Sequence, residues 1–194
     1  CVDGGDATFS NPVAMGTTVG TLTTGAKESA GAGNFNMVVA GYGYLHGMQL
    51  QANDGGSRTG FLGIGYSSLE RVQKWVDCTF STNSTAGSVV VRLCYGASTN
   101  GSNIELVNPT FIFGNASQKA ELYGPVSIFG GVTSGTAPTT LFTIGVANNL
   151  GLRLFSSGGD WSAATNCFSP AAEDSPGIIQ FVGCKIATPV TGSF

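Results

Sequence analysis

Apolar and polar residues fall along this chain in short alternating runs separated by turn-formers, a pattern that predicts strands and no long helix. The clearest run is 88–95, Ser-Val-Val-Val-Arg-Leu-Cys-Tyr, dense in β-branched residues that suit a pleated surface. Further strands are expected over 37–40, 44–52, 61–64, 104–113, 122–129, 141–146, 150–155, 178–182 and 185–190. Segment 69–76 places Leu69, Val72 and Val76 at helical spacing, but it also alternates and runs on into Trp75-Val76-Asp77-Cys78-Thr79-Phe80, so strand is the reading. Asn53-Asp54-Gly55-Gly56 is a turn, 81–88 and 98–103 are polar loops, 131–140 is a Gly/Thr/Pro loop, and 162–177 is an irregular insertion.

Five of these strand-bend-strand stretches look alike. They are Val76-Asp77-Cys78-Thr79-Phe80, Val107-Asn108-Pro109-Thr110-Phe111, Tyr123-Gly124-Pro125-Val126-Ser127-Ile128, Phe155-Ser156-Ser157-Gly158-Gly159 and Val182-Gly183-Cys184-Lys185-Ile186. The middle slot holds Cys, Pro or Gly and never a charge, as a packing position does. Pro109 and Pro125 cannot donate to a ladder, so they mark bends between short strands. Degenerate repeats of this kind suggest stacked rungs, each burying its apolar face only against its neighbours. The spacing is uneven, with 31 residues from Cys78 to Pro109, 16 from Pro109 to Pro125 and 26 from Gly158 to Cys184. The expected fold is all-β, a right-handed parallel β-helix or solenoid with irregular loop insertions; an antiparallel β-sandwich or barrel is the alternative. Residues 1–36, mostly Gly, Ala, Thr and Ser, read as an extended N-terminal arm or linker, and 37–194 as the β-helical domain.

Composition narrows the partners. Only 10% of the 194 residues are charged, against about a quarter in ordinary soluble domains, and Gly numbers 30. So neutral a surface suits a chain that is covered in an assembly. Eight scattered cations and a net charge of −3 lack the footprint of nucleic-acid binding. No apolar run is long enough for a membrane-spanning helix. The chain begins with Cys1, so it is expected to be processed or to belong to a longer product; a lipid-modified Cys1 is a further reading.

Candidate chemistry is sparse. The five cysteines, Cys1, Cys78, Cys94, Cys167 and Cys184, form no C-x-x-C and have no His pair, which argues against zinc and for buried, reduced thiols. A Cys78–Cys184 disulfide requires the two rungs to be adjacent. His46 is the one histidine, so any Ser-His-Asp or Cys-His system would have to use it; a hydrogen-bonded turn histidine is the expectation. Of the carboxylates, Asp54, Asp77, Glu121 and Asp160 are the candidates for a glycosidase pair, yet no local spacing joins any two. The glycine-rich stretches do not match a dinucleotide fingerprint. Asn83, Asn100 and Asn115 head glycosylation sequons. No catalytic, cofactor-binding or metal-binding residue is assigned, and no cofactor is expected. Trp161, Asp160, Tyr42 and Tyr44 are the residues that would make a shallow glycan contact.

The rung-like segments, the Gly/Ser/Thr/Asn loops and the low charge over about 40–190 resemble the β-helical structural proteins of tailed bacteriophages. These include capsid decoration or cement proteins, tail fibres and tailspikes. The phrase Gly130-Gly131-Val132-Thr133-Ser134-Gly135-Thr136-Ala137-Pro138 looks like the loops of tail and fibre proteins. The resemblance implies a non-enzymatic protein on the virion surface, most simply a capsid decoration protein that bridges neighbouring subunits. It implies a homo-oligomer, a trimer, with the arm laid on the major capsid protein or another virion subunit. The alternative it carries is a tail fibre or tailspike segment that binds or cleaves host surface glycans. A bacterial cell-surface or secreted location is the alternative to the virion.

Overall fold

The computed structural model describes residues 2–3, 27–30, 35–38, 43–52, 61–66, 72–82, 85, 89–94, 103–144, 152–169 and 177–188. Among them there is no helix, and every strand pairing is parallel. The chain runs through three faces in rotation. It lays down β1 (Val2–Asp3), β2 (Lys27–Ala30) and β3 (Phe35–Val38), then β4 (Gly43–His46), β5 (Gln49–Ala52) and β6 (Phe61–Tyr66). Next come β7 (Val72–Val76), β8 (Thr79–Thr82) and β9 (Val90–Leu93), followed by β10 (Asn103–Val107), β11 (Thr110–Phe113) and β12 (Lys119–Leu122). Strands β13 (Val126–Phe129), β14 (Val132–Gly135), β15 (Thr140–Ile144), β16 (Leu152–Ser157), β17 (Asn166–Ser169) and β18 (Gly177–Val182) complete it.

Up to β16 every third strand stacks on its predecessor; then β17 stacks on β15 and β18 on β16, because the sheet B position between them is the single Asp160 bridge. Sheet A is β1-β4-β7-β10-β13-β16-β18, sheet B is β2-β5-β8-β11-β14, and sheet C is β3-β6-β9-β12-β15-β17. The protein is therefore a three-sided parallel β-solenoid, and the sandwich or barrel alternative falls with its antiparallel ladders. Within 1–36, β1, β2 and the first residues of β3 pair with β4, β5 and β6; the remainder of the expected arm lies outside the described residues.

Alternation now has a cause. On sheet A the inward column runs Leu45, Trp75, Leu106, Ile128, Ser156 and Phe181 by register, while His46, Val76, Val107, Phe129, Ser157 and Val182 point outward beside it. On sheet B the inward column is Leu50, Phe80, Phe111 and Thr133, and Trp161 continues it one residue after the Asp160 bridge to Val132. Sheet C contributes Val91, Ala120, Phe142 and Phe168. Phe111 lies 5.7 Å from Phe80 and 6.3 Å from Trp161 between ring centroids, and Trp161 meets Phe142 edge-on at 5.6 Å. These tilted and edge-on ring contacts fill the interior of the rungs from β8 to Trp161.

The corner between sheets A and B is the repeat itself. Gly47, Asp77, Asn108, Gly130, Gly158 and Gly183 occupy one column there, and all six hold positive φ between 49° and 70°. Gly47, Asp77, Asn108, Gly130 and Gly158 each donate their backbone N–H to the last strand residue of the next rung, at 2.7–3.0 Å. Only glycine and the short polar Asn and Asp adopt this left-handed conformation cheaply, which explains the residue types. The following slot is Met48, Cys78, Pro109, Gly131, Gly159 and Cys184, at steps of 22–31 residues.

Four sequence-based expectations are corrected by this arrangement. Pro125 does not belong to the A–B corner; it precedes β13 at the corner from sheet C to sheet A, and the true member of that rung is Phe129-Gly130-Gly131-Val132. The loop expected over 131–140 contains β14, because Thr133 is small and Gly135 takes a φ of 77° at the strand's end. The insertion expected over 162–177 contains β17, whose Cys167 and Phe168 are buried. In place of the strand expected over 185–190, Lys185 forms a single bridge to Asp160, and 189–190 lie outside the described residues.

Candidate functional site

The sequence-nominated residues fall at separate places on the solenoid. His46 ends β4, one residue before the corner, and its Nε2 lies 3.2 Å from Asp77 Oδ2 on the next rung. Asp77 Oδ1 in turn accepts from Asn108 Nδ2 at 3.2 Å, one rung further. The three side chains form a ladder along the outside of the corner, as a turn histidine should. With Nε2–H donating to the carboxylate, His46 Nδ1 faces protein, buried and without a hydrogen-bond partner.

Asp160 and Trp161 are neighbours with opposite surroundings. Asp160 is outward, accepting from the Ser162 hydroxyl at 2.6 Å, the Ser162 amide at 3.1 Å and Lys185 Nζ at 3.1 Å. The two Ser162 bonds first, and then Lys185, hold its carboxyl below the ordinary range. Trp161 turns inward and is fully buried, donating its indole N–H to Ser156 Oγ at 2.9 Å. It has no ring face free to stack on a sugar, so the nominated Trp161 contact is replaced by a core role. Tyr44 is 45% exposed on β4; Tyr42 lies outside the described residues.

The carboxylates are likewise dispersed. Asp160 sits three rungs from the Asp77 corner, about 14 Å at the usual strand spacing. Glu121 is on sheet C, accepting from Arg92 Nε at 3.2 Å and Tyr123 Oη at 3.2 Å. Asp54 lies outside the described residues. Among the described carboxylates, these do not make the facing pair that glycoside hydrolysis uses.

Cys78, Cys94 and Cys167 are buried, and all four, Cys184 included, are free thiols. Cys78 and Cys184 share a column but stand four rungs apart, about 19 Å, so they cannot form a disulfide. Burial pushes the Cys78 thiol up to about 11 and the Cys167 thiol up to about 12, and raises that of Cys94 as well. These are not thiolates at neutral pH. No group of three or more His, Cys, Asp or Glu among the described residues is placed to hold a metal ion. The Asn115 sequon asparagine is engaged in the corner before β12: its Nδ2 donates to the Thr85 carbonyl and its Oδ1 accepts from the Ser117 amide.

Two open clefts are formed by the described residues. One, of about 340 Å³, is lined by hydroxyls, Ser117, Thr139, Thr140, Thr143 and Ser169, with Lys119 at its side. The other, of about 530 Å³, lies on the outer face of sheet A among Asn103, Pro125, Ser127, Arg153 and Phe155. Sequence reasoning passed over Arg153 and Phe155. The signal was there in Leu152-Arg153-Leu154-Phe155, where alternation places both outward. Comparison with protein-family models, with curated proteins and with solved structures returns no match.

Proposed function

We propose that this chain is a non-catalytic structural protein that works by side-by-side assembly, a trimeric decoration protein of a phage-like particle that bridges its neighbours. The observation that carries the reading is the outward column at the end of sheet A. Val76, Val107 and Phe129 stack there in register, and Val132 follows at the next corner. Phe129 and Val132 are 39% and 44% exposed. An apolar column of this length on a surface with so few charges is the composition of a subunit interface rather than of a solvated face. The rest of the molecule supports the same reading: corners and columns are filled by residues that serve packing, and His46, Lys74, Arg92 and Asp160 each pair with a group on a neighbouring rung. The resemblance in repeat style to phage β-helical proteins suggests the particle.

Light scattering coupled to size-exclusion chromatography tests the assembly. A trimer is expected for the native chain, and a monomer for Phe129→Asp combined with Val107→Asp. A monodisperse native monomer would overturn the proposal. Crosslinking within the native particle, with capsid subunits as the expected partners, tests the location.

A further inference from the structure

The cleft on sheet A combines features that the structural reading does not use. Its floor is two outward columns. Asn103, Pro125 and Arg153 stand in the first, and Ser127 and Phe155 register side by side in the second. Ile178, opposite Arg153 on β18 and 61% exposed, continues the first column one strand further. The Phe155 ring packs against Phe129, with centroids 5.8 Å apart and the planes tilted by 56°, and it lines the open cleft.

Arg153 is the informative group. Lys74 is paired with Glu105, Arg92 and Lys119 with Glu121, and Lys185 with Asp160. Arg153 has neither a carboxylate nor a hydrogen-bond partner among the described residues. Glu105, the acid beside Ser127 in the second column, is committed to Lys74. A guanidinium presents a planar fork that fits one carboxylate through two hydrogen bonds. Beside it stand an amide and a hydroxyl, which donate and accept neutrally, and an aromatic ring, which offers an apolar face. An apolar wall with a few converging polar groups is the usual make-up of a small-ligand site.

We propose that this cleft binds an acidic saccharide. The carboxylate of a uronic-acid-type sugar docks on Arg153, its hydroxyls on Asn103 and Ser127, and its C–H face on Phe155. The strand-paired columns form an even floor along which a chain of such sugars continues toward Ile178. The cleft borders the Val76–Val107–Phe129 column through the Phe129–Phe155 contact, and titration with a saccharide reads the cleft by itself, whatever the state of assembly.

The test is calorimetric titration of the full chain with a short oligogalacturonate. A neutral oligosaccharide of equal length, oligoglutamate and inorganic sulfate serve as comparison probes. Saturable binding of oligogalacturonate is expected, at least about tenfold tighter than the other three. Arg153→Ala should weaken it about tenfold or more, Arg153→Lys should restore only part because a point charge lacks the fork, and Phe155→Ala should weaken it at unchanged charge. All three variants lie on the outer face, and an unchanged unfolding midpoint verifies their fold. Absence of oligogalacturonate binding, binding indifferent to Arg153→Ala, or equal binding of oligoglutamate or sulfate would each overturn the proposal.

Discussion

The side-chain amide of Asn108 donates to the carboxylate of Asp77 one rung away, 3.2 Å distant, and both residues hold the left-handed backbone, at φ of 49° and 51°. The backbone requirement comes first and the side-chain bond second. A residue with a Cβ and no short polar group pays about 1–2 kcal/mol in that conformation. Asn108→Ala should therefore destabilise the protein by about 1 kcal/mol, since the exposed hydrogen bond adds little. Asn108→Gly should lie within about 0.5 kcal/mol of the native protein. Urea unfolding of the two variants checks the ranking; a glycine variant weaker than the alanine would show that the side-chain bond dominates.

Gly158 and Gly159 are adjacent, and their substitutions should differ in kind. A Cβ on Gly158 meets nothing within 4 Å and suffers only its φ of 70°. A Cβ on Gly159 would overlap the Trp161 indole. Gly158→Ala should cost about 1 kcal/mol, and Gly159→Ala about 3 kcal/mol, because a packed ring must move. Fluorescence and unfolding midpoints measured together distinguish them: the indole environment should change in the second variant and not in the first.

Gln73 is fully buried on sheet A, between Gly43 and Ile104 in register, and neither its amide oxygen nor its nitrogen has a hydrogen-bond partner. Unpaired buried amides cost about 1–3 kcal/mol. Gln73→Met keeps the length and removes the polar atoms, so it should raise stability by about 1–2 kcal/mol in denaturant titration. A loss of stability would mean that the amide is satisfied in solution.

Thiol chemistry gives a pH dependence with a definite sign. Burial raises Cys78 from about 9 to about 11 and Cys167 from about 9 to about 12. The unfolded chain ionises first, so the stability these thiols contribute is intact below pH 9 and declines as pH rises toward the folded values. The decline approaches about 1.4 kcal/mol per pH unit for each thiol. Cys78→Ala should flatten the unfolding free energy between pH 9 and 11 relative to the native chain. A thiol reagent at pH 8 should leave Cys78, Cys94 and Cys167 unmodified until denaturant is added.

The solenoid is legible in the sequence where a corner stands between plainly apolar strands, glycine corners such as Gly158-Gly159 and Gly183-Cys184 included. Asp77-Cys78 and Asn108-Pro109 stand out because Asp, Asn and Pro are conspicuous turn-formers among apolar neighbours. Gly47-Met48 and Gly130-Gly131 satisfy the same left-handed requirement within glycine-rich stretches that offer no single conspicuous turn residue, and in the second of these rungs Pro125 is the more visible bend. What repeats is a backbone conformation, and several residue types meet it. Trp161 was misread for a related reason: a Trp beside an Asp in a Gly/Ser-rich stretch looks exposed, and only the Asp160–Val132 bridge shows that it continues the Phe80–Phe111 column inward. The sheet A cleft was hidden because its residues come from three strands, β10, β13 and β16, brought side by side by register alone.

The ladder hydrogen bonds of all three sheets point along the solenoid axis, while the covalent chain runs across it. Load applied across the axis is therefore carried by peptide bonds, and load applied along it by hydrogen bonds and side-chain stacking. Such a body is stiff in girth and yields in length, one coil at a time from its ends. Clamped sideways between neighbours it would resist swelling; pulled by one terminus, it should pay out in a sawtooth of small, similar force peaks.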